Sequence, residues 1–146
     1  MSLLNQLRAS TDYTAALHSI IAHFRADSGT IHMLESDGIL HLKAASQGLP
    51  EAVLAAVRLV PIGKGMAGLA VERGAPVDTC NLQTDASGNV KPGAKATGME
   101  GAIVVPIFKG EKAVGALGIA NRATRTFSAE ETALLMEAGR TIAVTL

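Results

Sequence analysis

Three groups of residues in this chain are of a type and spacing that could do chemistry. Gly63, Gly65 and Gly68 form Gly-x-Gly-x-x-Gly within Pro61-Ile62-Gly63-Lys64-Gly65-Met66-Ala67-Gly68, the pattern that cradles dinucleotide phosphates. That chemistry needs a strand directly before the turn, a helix after it, and an acid about 20 positions on that ends the next strand. The residues before this turn read as a helix closed by Pro61, and Asp85, at the right distance from Gly65, sits in a polar stretch with no strand leading into it. The glycines are therefore read as a tight turn that lets a short helix pack on a sheet. The second group is histidine. His18 and His23 lie about 500° apart on a helix at 3.6 residues per turn, so they share no face. His32 and His41 could face one another across a hairpin, but no Cys, Asp or Glu is spaced to complete a metal set, and no metal is expected. The third is the single Cys80. A reactive thiol needs a base or a resolving thiol beside it, and a lone cysteine excludes an internal disulfide and fits a reducing, cytoplasmic compartment.

The elements that position these residues follow from hydrophobic spacing. Residues from about 10 to 26 read as an amphipathic helix, capped by Ser10 or Thr11, with Tyr13, Leu17, Ile20, Ile21 and Phe24 on one face. Asp27-Ser28-Gly29 ends it. Thr30 to Glu35 and Ile39 to Ala45 are strands joined through Ser36-Asp37-Gly38, the second with Leu40, Leu42 and Ala44 alternating against His41 and Lys43. Pro50 fits the first turn of a helix reaching Arg58. A short helix runs from Lys64 to Arg73 and Gly74 ends it. Pro76-Val77-Asp78 is extended. Residues 102–108 and 112–120 are nearly continuous apolar runs, hence strands covered on both faces. Lys109-Gly110-Glu111 turns between them, and Pro106 marks a bulge or strand end. Ser128 and Glu131 make a capping box for a last helix with Leu135, Ala138, Ile142 and Leu146 on one face.

Between these elements, from Thr79 to Gly101, the chain turns polar, and a loop of that length inside a compact domain points to binding or disorder. Asn81, Thr84, Asp85, Thr97 and Met99 from this loop, with Met66 at the start of the short helix, are the candidate ligand contacts of a mixed pocket. Tight turns between consecutive strands imply an antiparallel sheet with helices segregated onto its faces, an α+β architecture.

Composition narrows the function. At 146 residues the chain reads as one domain with a real core. Aromatics are 3% against 48% apolar residues, so that core is aliphatic. Thirteen basic and thirteen acidic residues cancel, giving no electrostatic case for binding nucleic acid or an anionic membrane. No apolar run approaches the roughly 20 residues that span a bilayer. The last helix stops in mid-pattern at Leu146 and Met1-Ser2-Leu3 could be a leader, so the chain is expected to be one domain cut from a longer signalling protein.

Five segments, in order, resemble the GAF domain family of signalling proteins over about residues 8 to 145. They are Pro61 to Gly68, Glu72-Arg73-Gly74-Ala75-Pro76-Val77, Val105-Pro106-Ile107, Val114-Gly115-Ala116-Leu117-Gly118-Ile119 and Phe127-Ser128-Ala129-Glu130-Glu131. The resemblance implies a PAS-related central antiparallel sheet of five or six strands. The first and last helices would pack on one face, and the short helices and long loop would cover a ligand on the other. It implies a non-catalytic regulatory domain that binds a small molecule or partner and signals through its terminal helices, as a homodimer, to an output domain. The ligand and any cofactor stay unnamed. Free methionine-R-sulfoxide reductases share the family, but their chemistry exchanges cysteines and this chain has one; a ligand-free dimerisation module is the other alternative. Bilin-binding members attach their pigment through a Cys beside a His, and Asn81 follows Cys80. Asn121-Arg122, Phe127 and Glu131 are similar to the Asn-Lys…Phe…Asp-Glu signature of phosphodiesterase GAF domains, which implies an Arg122–Glu131 salt bridge supporting the fold. Thr132 replaces the final acid of that signature.

Overall fold

The computed structural model describes residues 2–84 and 98–146. Their order is α1 (Leu3–Arg8), α2 (Tyr13–Phe24), β1 (Ser28–Leu34), β2 (Ile39–Ala45), α3 (Glu51–Val57), β3 (Leu59–Pro61), α4 (Gly65–Arg73), β4 (Val77–Thr79), β5 (Gly101–Lys109), β6 (Lys112–Asn121) and α5 (Ala129–Thr145). Six strands form one sheet in the order β3-β2-β1-β6-β5-β4. Every neighbouring pair is antiparallel. The α+β architecture expected from the sequence is the one observed.

Alternation along the strands divides the core into two sides. Ile31, Ile103, Val105, Ile107, Leu117 and Ile119 pack with Leu3 and Leu7 of α1, Leu17 and Ile20 of α2, and Leu135, Ala138 and Ile142 of α5. The intervening positions face α4: Ala102 joins Met66, Ala70 and Val77, and Leu40 and Ala116 join Val71. First and last helices thus share one face, and the short helices the other. β6 and β5 are largely buried, as their continuous apolar runs demand. The strand irregularity anticipated at Pro106 falls one residue later, where the β5–β6 register shifts between Ile107 and Phe108.

Local chemistry explains the element ends. α5 starts in the expected capping box, Ser128 Oγ accepting from Glu131 N–H while Glu131 Oε1 accepts from Ser128 N–H. α2 begins at Asp12, whose carboxylate accepts from Ala15 N–H at 2.7 Å, rather than at Ser10 or Thr11. It ends with Arg25 in the left-handed region (φ 53°), which lets Ala26 N–H reach Ile21 O at 3.0 Å. Asp27-Ser28-Gly29 is not the break it was expected to be, since Ser28 and Gly29 already pair with Ala120 and Ile119 of β6. The helix α1 and the edge strand β3 were not foreseen. Leu146 does not extend the buried stripe of α5 but lies at its exposed end.

Candidate functional site

The glycine-rich turn joins β3 to α4. A strand does precede it, contrary to the sequence reading, but that strand is three residues long and antiparallel to β2, whereas a dinucleotide site needs a parallel β-α-β unit. Gly63 and Gly65 take φ of 87° and 65°, conformations that other residues adopt only with strain. Gly63 N–H donates to Gly68 O at 2.9 Å, and a Cβ on Gly68 would lie 2.4 Å from Pro61 O. The three glycines fold the turn onto itself and seat α4 against the sheet. The amides of Gly63 and Gly68 are taken up within the turn, by Gly68 O and Lys64 O.

That seating leaves a cavity of about 310 Å³ between the sheet and the layer of α3 and α4. Its floor is made of small or branched residues of the sheet: Thr30 of β1, Ala102 and Val104 of β5, and Gly118 and Ala120 of β6. Val53 and Val57 of α3 wall one side, and Gly65, Met66 and Ala67 of α4 another. Leu82 and Met99, from either side of the polar segment, close in on it as well. This is the size and mostly apolar character of a small-molecule site. Among the described lining residues the polar groups are few: Ser28, Thr30, His32 and Lys64. His32 is the most enclosed of the four at 3% exposure. Its Nε2–H donates to Val57 O at 2.8 Å, tying β1 to the end of α3. Burial holds its pKa below the ordinary 6.5, with the Val57 bond opposing the shift, so the ring is neutral at pH 7.

The sequence candidates divide. Met66 and Met99 line the cavity, together with Leu82, which the sequence reading had passed over. Asn81 and Thr84 do not line it. Asn81 instead binds the chain locally, its amide donating to Glu100 Oε1 at 3.3 Å and its Oδ1 accepting from Gln83 N–H at 3.0 Å. Leu82 N–H donates to Glu100 O at 2.6 Å and Gln83 Nε2 to Met99 O at 2.8 Å. The two ends of the polar segment are thus tied together below the cavity. Asp85 and Thr97 lie outside the described residues.

His32 and His41 do not face each other. His32 is opposite Leu42 and His41 opposite Met33, which puts the two rings on opposite faces of the hairpin. His41 pairs instead with Asp37 at 2.8 Å. Among the described residues no group of three His, Cys, Asp or Glu side chains is placed to hold a metal ion. Cys80 is exposed, and it is not among the described residues around the cavity.

The expected Arg122–Glu131 pair is corrected to Arg125–Glu131. Arg125 Nη2 lies 2.6 Å from Glu131 Oε2, its Nη1 donates to Phe24 O at 2.8 Å and to Asn121 Oδ1 at 2.7 Å, and its guanidinium stacks 4.5 Å from the Phe127 ring. Arg122 contributes its backbone N–H to Asp27 Oδ2 at 2.7 Å, with its side chain exposed. The segment after β6 turns so that the arginine three residues later returns to the helix start. Glu131 is held below the usual carboxylate range by the Ser128 N–H first and by Arg125 second.

The GAF domain family model matches residues 12–146, and the chain belongs to that family. No curated protein matches it in sequence. Among solved structures it superposes on the GAF domain of an Acinetobacter phosphoenolpyruvate-protein phosphotransferase with a TM-score of 0.80 at 17% identity, over 98% of this chain and 87% of that one. The corresponding Coxiella burnetii domain gives 0.79 at 20%, over 98% and 89%. A free methionine-R-sulfoxide reductase from Neisseria meningitidis, solved with its substrate, gives 0.76 at 18%, over 98% and 85%. At these identities the likeness is one of fold. No helix among the described residues is long and apolar enough to cross a membrane.

Proposed function

We propose that this GAF domain is a non-catalytic sensory module that binds a small molecule in the cavity between the sheet and α3–α4 and passes the change to its terminal helices. The observation that carries the reading is the apolar cavity of about 310 Å³ with a few convergent polar groups. A route outward is in place. Leu82 and Met99 touch the cavity, Cys80 O accepts from Arg125 N–H at 3.2 Å, and the Arg125 guanidinium grips Glu131 of α5 and Phe24 O of α2. A ligand that resettles Leu82 and Met99 strains this junction and so biases how α2 and α5 pack. The output domain, a cytoplasmic setting and a homodimer through the terminal helices belong to the same proposal. A strictly monomeric parent chain would contradict the dimer.

The test is a thermal-shift screen of nucleotides, amino acids, oxo acids and small amphipathic compounds on the wild type and on Ala102→Leu, which grows into the cavity. At least one compound raises the Tm of the wild type and leaves the variant unmoved. Equal shifts in both proteins place binding elsewhere. The reductase reading needs a second sulfur to exchange, and Cys80 is the single cysteine of the chain. A thioredoxin-coupled assay on free methionine sulfoxide accordingly gives no turnover.

A further inference from the structure

His32 is accounted for on one side of its ring only. The last carbonyls of a helix have no partner within it. At the end of α3, Leu42 N–H serves Arg58 O at 3.0 Å and His32 Nε2 serves Val57 O at 2.8 Å. A carbonyl can only accept, so the second bond fixes the proton on Nε2 and leaves Nδ1 as a bare lone pair. Nδ1 is buried and has no hydrogen-bond partner among the described residues. A buried acceptor left in this state carries a desolvation cost that only a donor offsets. Anchoring α3 explains Nε2; it does not explain why the residue behind that bond should bring a second, unserved polar atom into an apolar wall.

No described residue donates to it. Across the sheet, His32 stands opposite Leu42 of β2 and Ala116 of β6. Nδ1 itself is closed off from the surface, so a donor carried by a molecule in the cavity reaches it where part of the lining gives way. Met66, with three rotatable bonds, is the adaptable part of that lining. Apart from Ser28 and Thr30 the remaining walls are apolar, and Lys64 is the one charged residue among those described around the cavity.

We propose that His32 selects the ligand of this cavity: a compact, uncharged, largely apolar molecule with one N–H or O–H donor, which Nδ1 accepts. The proposal rests on the cavity's being a ligand site, and it adds the chemical class. An anion would instead be drawn to Lys64 and would bring no proton for Nδ1.

Three probes separate these cases at pH 7.5: indole, which has an N–H; benzothiophene, of the same ring size without a donor; and benzoate, an anion. The methyl resonances of Met66 and Met99 report occupancy of the cavity, and the ¹⁵N resonance of His32 Nδ1 reports hydrogen bonding. Indole binds at least ten-fold more tightly than benzothiophene or benzoate, and it alone moves the Nδ1 resonance. His32→Phe abolishes the preference, and His32→Asn, which keeps an acceptor near the position of Nδ1, retains part of it. Equal affinities for indole and benzothiophene, an unmoved Nδ1, or tighter binding of benzoate overturns the proposal while leaving the cavity a binding site. If no probe moves the two methionine methyls, the ligand-site reading falls with it. Should His32→Phe fail to fold, the wild-type Nδ1 resonance decides alone.

Discussion

Two residues, Arg125 and His32, carry more than their positions in the sequence announced. The capping box made Glu131 legible, because Ser-x-x-Glu before an apolar stripe has a mechanism attached to it. Its cationic partner was not legible. Arg122 and Arg125 lie in the same short connection, and only the path of residues 122–128 decides which guanidinium returns to the helix start. Arg125→Ala therefore removes bonds to a carboxylate, a carbonyl and an amide and is expected to cost about 2 kcal/mol of stability. Arg122→Ala stays within about 0.5 kcal/mol. Urea unfolding of the two variants checks this, and the reverse ranking would restore the pairing implied by resemblance. His32 gives a prediction in pH. Its folded pKa lies below the ordinary 6.5, so as pH falls past that value the unfolded chain takes up a proton that the folded chain refuses, and stability declines. The charged groups on the elements around it do not offset this: Lys64 opposes a second positive charge, and on α3 Glu51 and Arg58 are exposed and at 3.8 Å from each other. The fall of Tm between pH 7 and 5.5 is therefore shallower in His32→Phe than in the wild type. Identical slopes would mean that the ring is protonated without penalty.

Elements with a sustained period were readable. β2, α4, β5, β6 and α5 lie within a residue or two of where alternation, capping and glycine placed them. The misses have physical causes. β3 has three residues and ends in proline, too short for any period to emerge. The first two residues of β1 fall in Asp27-Ser28-Gly29, whose composition is that of a turn, yet sheet pairing overrides local preference there. α1 has six residues, and its two buried leucines are too few for a face to stand out. Nevertheless Leu3 and Leu7 sit in the main core beside α5. Leu7→Ala should cost about 2–4 kcal/mol by leaving a cavity there, measured as a lower Tm. A change below about 0.5 kcal/mol would show α1 to be an appendage.

At the scale of the whole molecule, the sequence pointed to the right neighbourhood for a site, and Met66 and Met99 line the cavity, but it did not anticipate the sheet residues that floor it. It favoured polar side chains of the long loop. The described lining comes instead from small and branched residues of the sheet, Ala102, Val104, Gly118 and Ala120. On paper such positions are indistinguishable from core, because a cavity is an absence of atoms set by how far α3 and α4 stand off. Met66 was reached from its place at the start of the short helix, and Met99 from the end of the polar loop. Filling this cavity is expected to be felt on the opposite face of the sheet, where α5 lies. Met136 of α5, packed against the main core, reports on that face, as Met66 and Met99 report on the cavity. The direct measurement is a methyl-methionine NMR titration with indole. Saturable shifts of Met66 and Met99 are expected together with a shift of Met136 of the same midpoint, and the Met136 response is lost in Arg125→Ala. Saturation of Met66 and Met99 with Met136 unmoved would contradict it.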